Sequence, residues 1–295
     1  MRLPNFLVIG AAKSGTTTLY RYLQRHPQIY MSSVKETAFF AFEKEYKKGL
    51  EFYASFFEYT SKEQICGEAS TDYTKYPLYP KTASRIAEIL PNVKLIYIMR
   101  NPVDRAYAYY LHQWIRNNPK IINKSFEECL SYSEEYVNAS NYMMQIKNYL
   151  QFFPKSSFLF ILMEDMLQKP TETLKKTLEF LEVDSQINIT NNEIIKANDR
   201  NDLYEIKLRT KLLSPFQNLP GYELLKVMLP EDSRRALYRI FIQNSPYGTK
   251  AKNNYQFPPL TDETRIKLIE KFAPLNRELG GFINRDLSYW SESIN

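Results

Sequence analysis

The stretch Phe6–Tyr20, FLVIGAAKSGTTTLY, decides the fold of this chain. It predicts a buried strand, a short loop with glycine, and the first turns of a helix. Such a loop points several backbone N–H groups at one spot, and the positive end of the helix dipole lies at the same spot. The stretch therefore predicts a phosphate-binding loop between a strand at Asn5–Ile9 and a helix at Thr16–Arg25.

The position of the lysine separates this loop from a Walker A loop, in which lysine directly follows the second glycine. Gly10 and Gly15 have the Walker A separation, but the residue after Gly15 is Thr16. The lysine, Lys13, comes two residues before Gly15. We therefore expect the loop to hold a phosphate without the usual nucleotide-triphosphate and magnesium arrangement. An ordinary strand-to-helix turn with a surface lysine is the alternative for this stretch taken alone.

Composition excludes several classes of protein. The 295 residues are 44% hydrophobic and 24% charged, as in a soluble globular protein. The net charge of +6 suits an anionic ligand but is too small to indicate nucleic acid. Cys66 and Cys129 belong to no Cys/His cluster, so we expect reduced thiols and no metal site. The absence of a signal segment and of an apolar run near the roughly 20 residues that span a bilayer predicts a cytoplasmic protein without a membrane span.

Strand-like and helix-like runs alternate along the chain. This alternation predicts an α/β fold, a P-loop-like three-layer structure with a central parallel sheet flanked by helices. The predicted strands are Asn5–Ile9, Gln64–Glu68, Lys94–Arg100 and Ser157–Met163. The predicted helices are Thr16–Arg25, Lys81–Leu90, Val103–Asn117, Asn141–Phe153 and Thr171–Leu181.

The pattern changes at Asn188, beyond which strand signals are few. Helices are predicted there at Tyr222–Met228, Asp232–Ile242 and Asp262–Phe272. We therefore predict a single domain over residues 1–295, with an α/β core over residues 1–187. Residues 188–295 are predicted to form a mainly helical C-terminal extension packed on that core.

A second candidate site follows the strand Lys94–Arg100, which ends in arginine and leads into a helix. Ligands of open α/β sheets bind along the carboxyl edge, where the phosphate loop also opens. Arg100 is therefore a candidate to bind a second phosphate through its planar guanidinium. Pairing with a carboxylate such as Asp104 is an equal alternative for Arg100 and the preferred interpretation for Arg105.

Two phosphate sites on one edge indicate a ligand phosphorylated at two places. The segment AAKSGTTTLYRYL resembles the 5′-phosphosulfate loop of sulfotransferases that use 3′-phosphoadenosine-5′-phosphosulfate (PAPS), and LIYIMRNPVDRAYAYYLH resembles their 3′-phosphate segment. KETAFF and GEASTDY are similar to segments of the heparan sulfate-type and bacterial branch of that family, where the first carries a catalytic glutamate. LNRELGGFINRDLSYW is similar to the tail of many bacterial members.

The resemblance implies PAPS as the sulfuryl donor and 3′-phosphoadenosine 5′-phosphate (PAP) as the product. It assigns the 3′-phosphate to Arg100. The residues that it assigns to the 5′-phosphosulfate are Lys13, Ser14, Gly15, Thr16, Thr17 and Thr18.

Three departures from the family pattern stand out. The family usually has a serine eight residues after the arginine, as a second ligand of the 3′-phosphate, but this chain has Ala108. Many carbohydrate-acting members have lysine after the glutamate of the GEASTDY segment, where this chain has Ala69. The basic C-terminal loop of the heparan enzymes has no clear match, and Lys250 and Lys252 are weak candidates for it.

Sulfuryl transfer needs a charge on the departing phosphate neutralised and a proton removed from the acceptor. We expect Lys13 to meet the first need, and no divalent metal. The resemblance favours Glu36 as the general base, with His112 as the competing base. A solvated glutamate beside a lysine and a packing histidine are the alternatives. Glu68 and Tyr73 are candidates to line the acceptor pocket.

Three functions remain open on the sequence. The leading one is transfer from PAPS to a hydroxyl or amine, by preference of a carbohydrate; a small molecule or natural product, with His112 as the base, is the alternative acceptor. The second is a metal-dependent nucleotide kinase with a degenerate loop. The third is a non-catalytic module that binds an anionic glycan or nucleic acid. The sequence leaves the acceptor and the oligomeric state open.

Overall fold

A parallel sheet organises the chain. The computed structural model describes residues 1–116, 121, 123–187, 189 and 257–292. The strands in these ranges are β1 (Phe6–Gly10), β2 (Ile29–Met31), β3 (Ile65–Ala69), β4 (Lys94–Met99) and β5 (Phe158–Leu162). Every described pairing between them is parallel, and their order in the sheet is β2-β3-β1-β4-β5.

Helices connect and cover these strands. They are α1 (Thr16–Leu23), α2 (Glu43–Tyr46), α3 (Gly49–Ser55), α4 (Thr82–Ile89), α5 (Pro102–Ile115), α6 (Phe126–Tyr132), α7 (Glu135–Asn138), α8 (Tyr142–Tyr149), α9 (Met163–Gln168), α10 (Pro170–Phe180) and α11 (Asp262–Ile283). Short 3-10 helices occur at Thr71–Thr74, Lys155–Ser157 and Ser288–Ser291.

The predicted α/β class is confirmed, as are the four predicted strands and the main predicted helices of the first 187 residues. The strand Ile29–Met31 was missed because three residues carry too little periodicity to be recognised. The helix predicted at Asp262–Phe272 continues through Pro274 to Ile283. The helices predicted at Tyr222–Met228 and Asp232–Ile242, and Lys250 and Lys252, lie outside the described residues.

The sheet is covered on both faces because neighbouring residues of a strand point to opposite sides. Leu7 and Ile9 of β1 pack in a core cluster with α4, α8 and the aromatic rings of Phe39 and Tyr53. Phe6 and Val8 pack in a second cluster with α1 and α10. This arrangement explains why the strands read as near-continuous apolar runs.

The chain divides into two compact units. One comprises Met1–Tyr109, Leu130–Ala197 and Leu260–Asn295, and the other comprises Tyr110–Cys129 and Asn198–Pro259. The single domain with a core over residues 1–187 stays a prediction. In the part of the chain that the structure describes, no helix combines the length and the apolar character needed to cross a membrane.

The strand order changes direction beside β1. From β1 the chain proceeds through β2 and β3 on one side of it and continues with β4 and β5 on the other. The loops after β1 and β4 therefore leave neighbouring strands in opposite directions, and open α/β sheets bind their ligands at such a point. The phosphate loop and Arg100 follow these two strands.

Candidate active site

The phosphate loop, residues 11–15, joins β1 to α1 with a left-handed backbone at two positions. The φ angles are 70° at Lys13 and 93° at Gly15. At Gly15 a side chain would be strained, and its Cβ would lie 2.6 Å from Cε of Met166. The Ala11 N–H donates to the Ile98 carbonyl at 2.7 Å, which fixes the loop to β4. Glycine is required at position 15 because the backbone there is left-handed and because the Met166 side chain leaves no space for a Cβ.

The loop presents hydrogen-bond donors suited to an anion. The Leu19 N–H donates to the Gly15 carbonyl at 3.1 Å, so the N–H groups of Thr16, Thr17 and Thr18 lie in the open first turn of α1. The Ser14 side chain is fully buried, and its hydroxyl has no hydrogen-bond partner among the described residues. A buried hydroxyl without a partner beside a helix N-terminus fits a bound phosphate or sulfate oxygen.

Arg100 lies beside this loop, as the sheet edge predicts. Its Nη1 donates to the Lys13 carbonyl at 3.2 Å, and its side chain keeps 24% of its surface exposed. The Tyr142 hydroxyl donates to the Arg100 carbonyl at 2.8 Å, which fixes the backbone at the end of β4. The phosphate loop and Arg100, the two predicted phosphate sites, are thus connected by a direct hydrogen bond.

The next residue, Asn101, fixes the start of α5. Its Oδ1 accepts from the N–H groups of Val103 and Asp104 at 3.0 and 3.3 Å. Its Nδ2 donates to the Trp290 carbonyl at 3.0 Å, and the Trp290 indole N–H donates to Glu164 Oε1 at 3.1 Å. The tail that carries Trp290 therefore holds the arginine segment in place, a contact that the sequence did not indicate.

The preferred interpretation of Arg105, pairing with a carboxylate such as Asp104, is wrong. Arg105 is fully buried, and its guanidinium donates to Ser140 Oγ at 2.6 Å and to the Tyr136 carbonyl at 2.7 Å. Asp104 instead lies 3.9 Å from Arg100 Nη2 and 3.3 Å from Arg265 Nη1. Arg105 therefore has a packing role behind the site.

Glu36 is held as a carboxylate. Its Oε2 accepts from the N–H and the hydroxyl of Thr71 at 3.0 and 2.8 Å, and its Oε1 lies 3.0 Å from Lys35 Nζ. Burial acts to raise the pKa of Glu36, but the Lys35 ammonium and the Thr71 hydrogen bonds outweigh it, so this pKa lies below its ordinary value. Its side chain remains 28% exposed, so a proton donor can reach it.

Glu68 lies behind the Glu36 segment, residues 35–40. It is fully buried, and it accepts hydrogen bonds from Tyr73 at 2.5 Å, Tyr53 at 3.1 Å, Ser70 at 3.5 Å, and Thr37. Burial raises the pKa of Glu68 to about 7, although these four hydroxyls oppose the rise. Both Glu68 and Tyr73 are buried, so the expectation that they line an acceptor pocket is wrong.

The same network fixes the backbone of the Glu36 segment. Ser70 Oγ accepts from the Ala38 N–H at 3.0 Å, and the Tyr73 hydroxyl accepts from the Phe40 N–H at 3.5 Å. Phe39 and Phe40 of this segment are buried. Glu68 therefore anchors, through Thr37, Ser70 and Tyr73, the segment that presents Glu36.

A further charged cluster was not indicated by the sequence. The buried Lys75 ammonium lies 2.7 Å from Asp72 and 3.2 Å from Glu135, and it donates to the Tyr109 hydroxyl at 2.6 Å. Burial alone would lower the pKa of Lys75, but Asp72, Tyr109 and Glu135 raise it overall. This cluster joins α5, α7 and the 3-10 helix that carries Thr71.

Two predicted features remain untested by geometry. His112 is on α5, in the second compact unit, and its role as an alternative base stays a prediction. In the described ranges, no three His, Cys, Asp or Glu side chains are grouped so that they could hold a metal ion. The metal-free reaction likewise stays a prediction.

Comparison with known proteins gives a family. A family model described as "Sulfotransferase domain" matches residues 3–210. The membrane-associated sulfotransferase kil1 of Dictyostelium discoideum is 45% identical over 134 residues, which are 43% of this chain and 27% of that protein. The human bifunctional heparan sulfate N-deacetylase/N-sulfotransferase 2 is 28% identical over 213 residues, which are 64% of this chain and 23% of that protein. The chain thus spans about a quarter of the length of these relatives.

A solved structure extends the likeness over the whole chain. A sulfotransferase from Alicyclobacillus acidocaldarius matches with a TM-score of 0.67 and 24% identity, covering 99% of this chain and 100% of its own. At this identity the match is one of fold. It agrees with the parallel sheet and the flanking helices described above.

Proposed function

The chain belongs to the sulfotransferase family, and from that premise we propose that it transfers a sulfuryl group from PAPS to a hydroxyl or amine of a carbohydrate. PAPS supplies a sulfuryl group attached to its 5′-phosphate. The sulfur–oxygen bond to that phosphate breaks, and its electron pair stays on the phosphate oxygen. A new bond forms from sulfur to the acceptor oxygen or nitrogen, and the acceptor's proton passes to Glu36.

The phosphate loop and its connection to Arg100 carry this proposal. The unpartnered Ser14 hydroxyl and the first-turn N–H groups of α1 offer donors for one anionic group. Arg100, which donates a hydrogen bond to the Lys13 carbonyl, offers a charged donor for a second anionic group. Lys13, Ser14, Gly15, Thr16, Thr17 and Thr18 would hold the 5′-phosphosulfate.

In this arrangement Lys13 stabilises the charge that grows on the departing oxygen. A fixed donor of this kind is worth about 3 kcal/mol in the barrier. The loop amides spread the remaining charge without reorganising.

Glu36 is proposed as the base because it is ionised and partly exposed. Its lowered pKa keeps it in the proton-accepting form at neutral pH. The pair of hydrogen bonds from Thr71 orients the carboxylate. His112 remains the alternative base, and with it a small-molecule acceptor remains the alternative substrate.

A carbohydrate is the proposed acceptor because a heparan sulfate N-sulfotransferase is among the relatives. Ala69, in place of the lysine common in carbohydrate-acting members, weighs against it. A cytoplasmic location is proposed from the sequence.

Donor binding and transfer test the proposal separately. Saturating PAP is expected to raise the melting temperature of the wild-type chain, because a ligand of the folded state stabilises it. Transfer from radiolabelled PAPS to a panel of glycan and phenolic acceptors identifies the acceptor class. A wild-type chain that gains no stability from PAP would refute the proposal.

Lys13→Ala is expected to lower kcat by roughly 10²–10³-fold, with little change in the melting temperature of the free protein. Lys176→Ala is the matched control, since that exposed lysine on α10 pairs with Glu172 on the same helix. Equal rates in the Lys13→Ala variant and the wild type would remove Lys13 from the reaction.

A further inference from the structure

Asp104 lies between two arginines, one of which is Arg100. One carboxylate oxygen is 3.9 Å from Arg100 Nη2, and the other is 3.3 Å from Arg265 Nη1. The exposed fraction of the side chain is 24% for Arg100, 27% for Asp104 and 26% for Arg265. Two cations thus share one anion, which leaves a net positive charge at an accessible position.

The backbone of Arg265 is well anchored. Arg265 is in the first turn of α11, where the Thr261 side chain accepts from the Thr264 N–H at 3.3 Å. Thr264 and Leu268 are buried and hold this end of the helix. The Arg265 side chain is therefore presented to α5 from a fixed position.

Asp104 and Ala108 are one helical turn apart on α5, so they share a face of that helix. By the resemblance to PAPS-dependent sulfotransferases, Ala108 stands where a serine would bind the 3′-phosphate. Arg265 therefore approaches the face of α5 on which that hydroxyl is missing. A guanidinium donates up to two parallel hydrogen bonds and carries a charge, so it can more than replace one hydroxyl.

We propose that Arg265 is the second ligand of the 3′-phosphate and takes over the role of the absent serine. In the free protein Asp104 holds both guanidiniums close to one another. A phosphate dianion carries more charge than one carboxylate, so it can draw both arginines to itself. This inference rests on the proposed function, because it takes the donor to be a 3′-phosphorylated nucleotide.

The experiment compares two nucleotides that differ in the 3′-phosphate. Dissociation constants of PAP and of adenosine 5′-monophosphate are measured by calorimetry for the wild type and for Arg265→Ala. The variant is expected to bind PAP roughly ten- to a hundredfold more weakly, the value of a hydrogen bond between charged groups. Its affinity for adenosine 5′-monophosphate is expected to stay unchanged.

Two further variants keep the test sharp. Arg277→Ala removes an exposed arginine from the same helix and is expected to bind PAP like the wild type. Arg265→Gln keeps much of the side-chain packing, and it serves if the alanine variant fails to fold; it is expected to lose PAP affinity to a similar extent. Melting temperatures of the free proteins show whether each variant is folded.

The outcomes separate this inference from the proposed function. If the wild type binds PAP and Arg100→Ala weakens that binding, but the Arg265 variants do not, the role of Arg265 is refuted and the function stands. Equal losses for both nucleotides also refute it, because the effect then does not depend on the 3′-phosphate. A wild-type chain that does not bind PAP refutes both.

Discussion

The phosphate loop, residues 11–15, and the Glu36 segment, residues 35–40, follow strands of the same sheet, but they satisfy their polar groups in opposite ways. The loop contains a fully buried Ser14 hydroxyl without a partner among the described residues, and it leads into a helix whose first N–H groups are open. In the other segment both oxygens of Glu36 already have partners, and Thr37 is bonded to a buried carboxylate.

This difference indicates different tasks. Hydrogen-bond donors without partners can bind an anion without first breaking other hydrogen bonds. The phosphate loop is therefore preorganised to bind the sulfuryl donor. The three contacts of the Glu36 carboxylate hold it in one orientation, and its lowered pKa keeps it ionised at neutral pH. The Glu36 segment is therefore suited to accept one proton and has little freedom to move.

The comparison predicts its largest effect for Glu36→Gln. The amide keeps the size of the side chain but cannot accept a proton, so kcat is expected to fall by roughly 10²–10⁴-fold. PAP binding, measured by thermal shift, is expected to stay unchanged because the donor side is intact. A kcat close to that of the wild type would contradict the role of Glu36 and indicate His112 as the base. The variant His112→Gln would then show the fall in kcat.

Glu68→Gln probes the support behind that segment through the pH dependence of stability. The pKa of Glu68 is raised from 4.5 to about 7 in the folded protein, so the folded state holds a proton that the unfolded state has released. This contribution to the free energy of unfolding is fully present below pH 4.5, falls as the pH rises, and is gone above about pH 7. The buried carboxyl of Glu68 is surrounded by the phenols of Tyr53, Tyr73 and Tyr149 and by two aliphatic hydroxyls.

Glutamine does not titrate, so the variant is expected to gain stability relative to the wild type, on the order of 3 kcal/mol, between pH 4.5 and pH 8. Urea unfolding at several pH values measures this difference. Glu51→Gln, at an exposed position on α3, is the control and is expected to follow the wild type. A Glu68→Gln difference that stays constant with pH would contradict the assignment.

The two regions also differ in how far the sequence revealed them. The phosphate loop was predicted residue by residue because a strand, a glycine turn and a helix start are local features of about fifteen consecutive residues. Arg100 followed because parallel strands end at one edge. The central sheet could be predicted for the same reason, since buried strands read as apolar runs.

The support of Glu36 and the pairing of Arg265 with Asp104 could not be predicted, because both depend on contacts between residues that are distant in the sequence. Thr37 and Glu68 are 31 positions apart, and Arg265 and Asp104 are 161 positions apart. Neither pair has a local signature. Without the fold, Glu68 and Tyr73 were expected to line a pocket, and Arg105 was expected to pair with a carboxylate such as Asp104.

The smallest expected effect concerns the turn of the phosphate loop. In Gly15→Ala the backbone must keep a φ of 93°, and the new Cβ must displace the Met166 side chain, so a strain of about 1–2 kcal/mol is expected. Because the strain falls on the binding-competent conformation, PAP affinity should fall roughly tenfold, with a small drop in melting temperature. Gly281→Ala on α11 is the control, since its Cβ meets no other atom within 4 Å. Unchanged PAP affinity in Gly15→Ala would mean that the loop adapts to its ligand, and the contrast between a preorganised donor side and a fixed acceptor side would then be lost.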